Sequence, residues 1–234
     1  MSNKNKFATD FWKNYLTQLK VEEDVRGKEI IEVGSHDVNG SLRSILHDFK
    51  PVKWLGVDIE QGLGVDEICS VYSLVERFGS ESFDTVICTE MIEHVQDWRK
   101  AIWNMGTILK PNGVLFITTR SQGFPYHGYP YDFWRYELED MENIFSNMII
   151  ESLIEDTTAP GVFMKARKPS SFTEKNLDNL ELYSILKRKR CHDHNQFDIL
   201  SYSIRRKNFY VLTGRRLKFL NLPRKTRAKI LGLG

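Results

Sequence analysis

Cysteine is scarce in this chain: Cys69, Cys88 and Cys191 are the three present, and no two of them stand in a CxxC pair. That spacing points away from a disulfide framework or a cysteine-rich zinc site, so reduced thiols are expected. Long apolar runs are missing as well, with no stretch of about 18 apolar residues anywhere. The opening MSNKNKFATDFWKN has no apolar core of the signal-peptide type. Neither secretion nor membrane spanning is expected, and the reading is a cytoplasmic protein. Internal repeats and low-complexity tracts are also absent.

What is present is a chain of 234 residues with a hydrophobic share of 41%, enough to bury one full-sized core. The formal net charge of +2 conceals a division. Residues 169–234 carry 15 Lys and Arg against 5 Asp and Glu, whereas residues 1–168 carry 18 against 26. This shift, with KARKPSS at 165–171, separates a main domain over 27–168 from a basic extension over 169–234, and helical spacing of Phe7, Phe11, Tyr15 and Leu19 predicts an N-terminal amphipathic helix over 1–26. The first helix is either a lid or a packed element.

Periodicity organises the main domain. KEIIEV (28–33), KWLGVDI (53–59), FDTVICT (83–89) and GVLFITT (113–119) read as buried parallel strands. GSLRSILHDF, VYSLVERF and DWRKAIWNMGTIL have helical spacing between them, and KPNG supplies a turn before the last strand. Alternation of this kind predicts an α/β fold with helices on both faces and a ligand crevice at the carboxyl ends of the strands. A further helix, ELEDMENIFSNM, precedes IIESLIEDTT and GVFMKARK, two strands whose APG connection is too short for anything but antiparallel neighbours. The expected architecture is a seven-stranded, mostly parallel sheet ending in an antiparallel hairpin.

The loop leaving the first strand, Gly34-Ser35-His36-Asp37-Val38-Asn39-Gly40, is too long and polar for the GxGxxG that seats a pyrophosphate on a helix N-terminus. Asp58 nevertheless ends the second strand, where a carboxylate accepts hydrogen bonds from both ribose hydroxyls. A nucleoside without a pyrophosphate satisfies both observations.

IIEVGSHDVNG, LGVDIEQG, FDTVICTEMIEHV and ILKPNGVLFITT, in that order, resemble the successive motifs of class I S-adenosylmethionine-dependent methyltransferases, the Rossmann-like group. The resemblance covers roughly residues 27–168. It implies that Glu32, Gly34 and Gly40 shape the wall for the methionine part of the cofactor, that Asp58 binds the ribose, and that Ser70 and Val71 lie along the adenine. Many relatives have Asp where Ser70 stands. Thr89, Glu90 and His94 fall in the family's loop beside the cofactor. Other readings stand beside these: Asp58 as a turn residue, Glu32 as a carboxylate bonding loop amides, His94 as a capping or packing residue. No metal is expected. A Cys191, His192 and His194 site lacks a distant partner, and no carboxylate cluster of the catechol type is evident.

No Asn/Asp-Pro-Pro-Tyr motif and no Pro-Cys pair occur, which disfavours nucleic-acid bases as acceptors and leaves a small-molecule or glycan hydroxyl. The segment SQGFPYHGYPYDFWRYE (121–137) follows the fifth strand and concentrates aromatic side chains where the crevice closes. Tyr126, Tyr129, Tyr131, Trp134 and Arg135 are the candidate acceptor-binding residues, although Phe133, Trp134 and Tyr136 equally suit docking of the next helix. YPYDFWRY resembles a segment of bacterial methyltransferases associated with surface polysaccharides, which implies a role in polysaccharide biosynthesis. A hydroxyl needs its proton removed. His127, neutral at an unperturbed pKa near 6.5, is the first candidate base. Asp132 is the second, either acting alone, orienting His127 or capping the following helix. The basic extension suits peripheral contact with an anionic membrane face or a phosphate-bearing carrier, or with the acidic body itself. A nicotinamide oxidoreductase and a non-catalytic nucleotide-binding module are the competing classes.

Overall fold

Seven strands build the central sheet of the computed structural model, which describes residues 21–38, 41–128 and 131–213. In chain order the strands are β1 (Glu29–Val33), β2 (Lys53–Asp58), β3 (Glu67–Ile68), β4 (Phe83–Thr89), β5 (Leu109–Arg120), β7 (Ile149–Glu155) and β8 (Gly161–Arg167), with β6 (Trp134–Arg135) lying outside this sheet. They are ordered β3-β2-β1-β4-β5-β8-β7. The pairs β1–β2, β1–β4, β2–β3 and β4–β5 are parallel. The last two, β5–β8 and β7–β8, are antiparallel, as the short APG connection requires. The strand order reverses between β1 and β4, so the crevice expected at such a switch point opens over Val33, Asp58, Thr89 and Arg120.

Apolar residues on both faces explain why the central strands lie inside. Ile30, Ile31, Val57, Val86, Ile87, Cys88, Leu115 and Ile117 are almost wholly buried. The helix Trp98–Ile108 covers one face with Trp98, Ala101 and Met105. Its first turn is held by Asp97, whose side chain accepts from the Lys100 amide at 3.1 Å.

Two expected elements differ. The helix read from GSLRSILHDF is one turn, Arg43–Leu46, followed by a 3₁₀ turn, His47–Phe49. Lys50 stops it by taking a left-handed conformation (φ 55°) before Pro51, a residue that disfavours helix at its predecessor. The KPNG turn lies inside β5, where Asn112 has φ 62° and the register with β4 shifts between Phe83 and Thr85.

A second sheet was not expected. β6 pairs with β9 (Leu182–Ser184), which pairs with β10 (Lys189–Cys191), all antiparallel. Part of the supposed basic extension is therefore a hairpin docked on the 121–137 segment, and one compact unit runs to Asp193, beyond the compositional boundary at residue 168. The cluster LKRKR supplies this hairpin, and Arg190 pairs with Asp140. A second unit begins at His194 and contains the helix Gln196–Thr213. The expected N-terminal helix, up to residue 20, and the basic clusters beyond residue 213 lie outside the described residues. No helix among the described residues is long and apolar enough to cross a membrane.

Candidate active site

The turn after β1 is shaped by Gly34. Its φ is 80°, and an added Cβ would stand 2.4 Å from Met91 Cγ, so only glycine lets the loops after β1 and β4 meet. Behind it Glu32 is buried, accepting from Trp54 Nε1 at 3.0 Å and lying 3.4 Å from Ser41 Oγ. Burial pushes its carboxyl up to about 7, against the opposing effect of the Trp54 and Ser41 hydrogen bonds. Gly40 lies outside the described residues.

Asp58 stands at the carboxyl end of β2 and braces two loops. Its Oδ2 accepts from the His36 amide and its Oδ1 from the Glu60 amide, each at 3.2 Å. A carboxylate oxygen has two lone pairs, so both oxygens retain acceptor capacity for a ribose diol. Ser35 Oγ is buried without a hydrogen-bond partner among the described residues. These features fit an adenosine-bearing cofactor. The Ser70 hydroxyl accepts from the Tyr72 amide at 3.2 Å and caps the turn Val71–Ser73. Val71 is buried there. Thr89 ends β4, and Glu90 follows in a left-handed conformation (φ 53°), a backbone strain characteristic of functional loops. Glu90 pairs with Arg120, which also holds Asp156 at 3.0 Å. Burial and the charge of Glu93 push the Glu90 carboxyl up to about 7, against Arg120.

Beyond these strand ends lies a polar array. Glu93, fully buried, accepts from Thr119 Oγ1 at 2.9 Å. Its other oxygen, Oε1, is 3.4 Å from His127 Nε2 and 3.9 Å from His94 Nε2, with no well-aligned donor. His127 Nδ1 lies 3.0 Å from Asp132 Oδ2, which also accepts from the His127 amide at 3.0 Å. Arg135 clamps Asp132 with both terminal nitrogens, at 2.5 and 2.7 Å. The His94 and His127 rings meet edge to face with centroids 4.7 Å apart, and Phe124 approaches His127 at 5.0 Å.

This geometry revises the base assignments. Burial would lower the pKa of His127, but the contacts with Asp132 and Glu93 prevail and push it up to about 9, so the ring is cationic at neutral pH rather than a free base. Burial would raise Asp132, but Arg135 and His127 hold it well below the usual carboxylate range, so it is a fixed anion and not a proton acceptor. Nor does Asp132 cap the next helix, Leu138–Ile144, whose capping box is formed by Glu137 and Asp140.

Two acceptor-binding expectations fail on burial. Trp134 is fully buried, its Nε1 donating to the Val95 carbonyl at 3.0 Å, and Arg135 is fully buried with its guanidinium spent on Asp132 and the Phe124 and Pro125 carbonyls. Phe133 and Tyr136 are interior as well, held where β6 joins the small sheet. Tyr126 and Tyr131 are partly exposed, and Tyr129 lies outside the described residues. His94 is drawn towards the aromatic segment, its Nδ1 2.6 Å from the Tyr131 carbonyl. Glu93, Thr119 and Arg120 are the site residues that motif reading missed. The EH pair at 93 and 94 was the signal for Glu93; its partner His127 is far off in sequence.

A family model described as a methyltransferase domain matches residues 6–180. The chain is 30% identical over 122 residues to the ubiquinone biosynthesis O-methyltransferase of Coxiella burnetii, covering 47% of this chain and 50% of that protein. It is 34% identical over 70 residues to the protein of the same name from Parvibaculum lavamentivorans, covering 30% and 27%. The chain thus spans half or less of the length of these curated relatives. Among solved structures, an S-adenosylmethionine dependent methyltransferase from Mesorhizobium loti aligns with a TM-score of 0.52 at 16% identity, over 67% of this chain and 97% of that one. Phosphoethanolamine N-methyltransferase 2 from Haemonchus contortus, in complex with S-adenosyl-L-methionine, aligns with a TM-score of 0.52 at 18% identity, over 68% and 53%. At such identities the likeness is one of fold.

Proposed function

The chain belongs to the methyltransferase domain family; from that premise we propose that it is an S-adenosylmethionine-dependent methyltransferase that methylates a hydroxyl group of a small molecule. The observation that carries this reading is the placement of the Glu93, His127 and Asp132 array. It occupies the loops after β4 and β5, while Glu32, Gly34 and Asp58 occupy the ends of β1 and β2. One side of the crevice therefore suits the cofactor and the other an acceptor. The relatives named O-methyltransferases support oxygen as the methylated atom. Burial of Trp134 and Arg135 removes much of the platform that a glycan acceptor would need, which favours a smaller acceptor.

When bound, the cofactor supplies a methyl group already activated by its sulfonium. Asp58 would hold the ribose, Gly34 would let the backbone approach, and Glu32 would line the methionine end. The remaining task is alignment of the acceptor oxygen with the donor, which falls to the array. Asp132, locked by Arg135, fixes the His127 ring, and Glu93 and Phe124 flank it. His127→Ala should lower turnover of labelled cofactor by about 10²-fold through loss of alignment, with cofactor affinity changed less than about twofold. Unchanged turnover would remove His127 from the mechanism.

The cofactor assignment has its own test. Hydrogen bonds to a charged group contribute about 1.5–3 kcal/mol, so Asp58→Ala should weaken S-adenosylmethionine binding about tenfold or more by calorimetry. Because Asp58 also braces the His36 and Glu60 amides, urea unfolding of the alanine variant serves as the control that separates lost bracing from lost ribose contact. Equal affinity in parent and alanine variant would refute the ribose assignment. Incubation with methyl-labelled cofactor and fractionated extract from the source cell, read by product mass, identifies the acceptor.

A further inference from the structure

One donor atom from each of Glu93, His94 and His127 lies within 4.8 Å of the others. The distances to Glu93 Oε1, 3.4 Å from His127 Nε2 and 3.9 Å from His94 Nε2, are close to those between the ligands of a shared ion. A tetrahedral centre with bonds of about 2.0–2.1 Å separates its ligand atoms by about 3.3–3.4 Å. Oε1 is wholly buried, and the cation that faces it in the metal-free chain is the His127 ring, so an ion bound there would displace the proton on His127 Nε2 and take over its charge.

The surroundings have the form of a ligand shell's support. Each imidazole has its Nδ1 on an oxygen acceptor, Asp132 Oδ2 for His127 and the Tyr131 carbonyl for His94, which orients Nε2 of both rings towards Glu93. Asp132 is immobilised by the buried Arg135, and the second oxygen of Glu93 is held by Thr119. The His94 and His127 side chains remain 21% and 30% exposed, so the rings can be reached from outside and further coordination positions stay open. Two imidazoles and one carboxylate suit zinc-like first-row ions and suit magnesium or calcium poorly.

We propose that Glu93, His94 and His127 bind one divalent first-row transition-metal ion, zinc or a close analogue, at a site open to the crevice. The proposal rests on ligand geometry and not on the identity of the methyl acceptor, so its test does not use activity. The full chain, stripped with chelator, is titrated with Zn²⁺ by calorimetry and with Co²⁺ by visible absorption. One equivalent of each is expected to bind, Co²⁺ giving the ligand-field bands of a low-coordinate nitrogen and oxygen site. His94→Ala and His127→Ala should each weaken Zn²⁺ by at least about 10²-fold, and Asp132→Asn by about 10–100-fold through loss of ring orientation. His192→Ala, which removes a surface histidine near Glu181, should leave binding unchanged. Binding of less than a tenth of an equivalent, or affinity indifferent to both alanine variants, would overturn the site. Glu93→Gln tests the carboxylate if it folds; if it does not, the two histidine variants, on partly exposed rings, decide the matter.

Discussion

Arg135→Met should destabilise the folded chain by about 3–5 kcal/mol, the cost found when one partner of a buried ion pair is removed. Arg135 and Asp132 are both fully buried, and two guanidinium nitrogens meet the two carboxylate oxygens at 2.5 and 2.7 Å. The remaining contacts of Arg135 satisfy the Phe124, Pro125 and Trp134 carbonyls, so a methionine would take the main cationic partner from Asp132 and a donor from three backbone acceptors together. Asp132 would keep His127 as its partner, which sets the effect within that range and not above it. Adding Asp132→Leu should recover a large part of the loss, because the uncompensated charge disappears with it. Urea unfolding of the parent, both single variants and the double variant gives the coupling directly. A single-variant effect below about 1 kcal/mol would mean that water or His127 already compensates Asp132.

The same pair shows why the site was only partly legible. β1, β2, β4 and β5 carry apolar periodicity strong enough to place their ends, and so Glu32, Gly34, Asp58 and Thr89 could be placed on strand ends before any coordinates. The aromatic segment had no such pattern. β6 is two residues long, too short for alternation to register, and its partner β9 comes from the stretch read as a basic extension outside the main domain. Pairing between β6 and β9 turns Trp134 and Arg135 inward, and that burial turned a supposed acceptor contact into a structural clamp. His127 was read as a neutral base, whereas its surroundings hold it protonated. An imidazole's protonation depends on what faces it, and Glu93 and Asp132 reach it from opposite sides, from residues 34 positions before it and 5 after it. Only the folded arrangement brings both carboxylates to one ring.

Glu32 should make stability fall with rising pH, and Glu32→Gln should abolish that fall. The carboxyl is 2% exposed and its pKa stands at about 7 in the folded chain against an ordinary 4.5. Below 4.5 both the folded and unfolded chains hold the proton and the residue has no pH effect. Between 4.5 and about 7 the unfolded chain releases it first, the folded chain binds more protons, and stability declines as pH rises. Above about 7 both are ionised and the buried charge costs a constant amount, about 3 kcal/mol from the shift at 1.36 kcal/mol per unit. Glutamine keeps an oxygen for Trp54 Nε1 and offers Ser41 Oγ a donor, so the packing is retained without the charge. The variant should match the parent near pH 4.5 and exceed it by about 2–3 kcal/mol near pH 8, read from urea midpoints at both values. Saturating S-adenosylmethionine should shrink the gain near pH 8, because the parent's ionised carboxylate then faces a cationic ligand that the glutamine variant cannot attract. An equal difference between the two proteins at both pH values would show that Glu32 does not titrate in this window and that its carboxylate is better solvated than its burial implies.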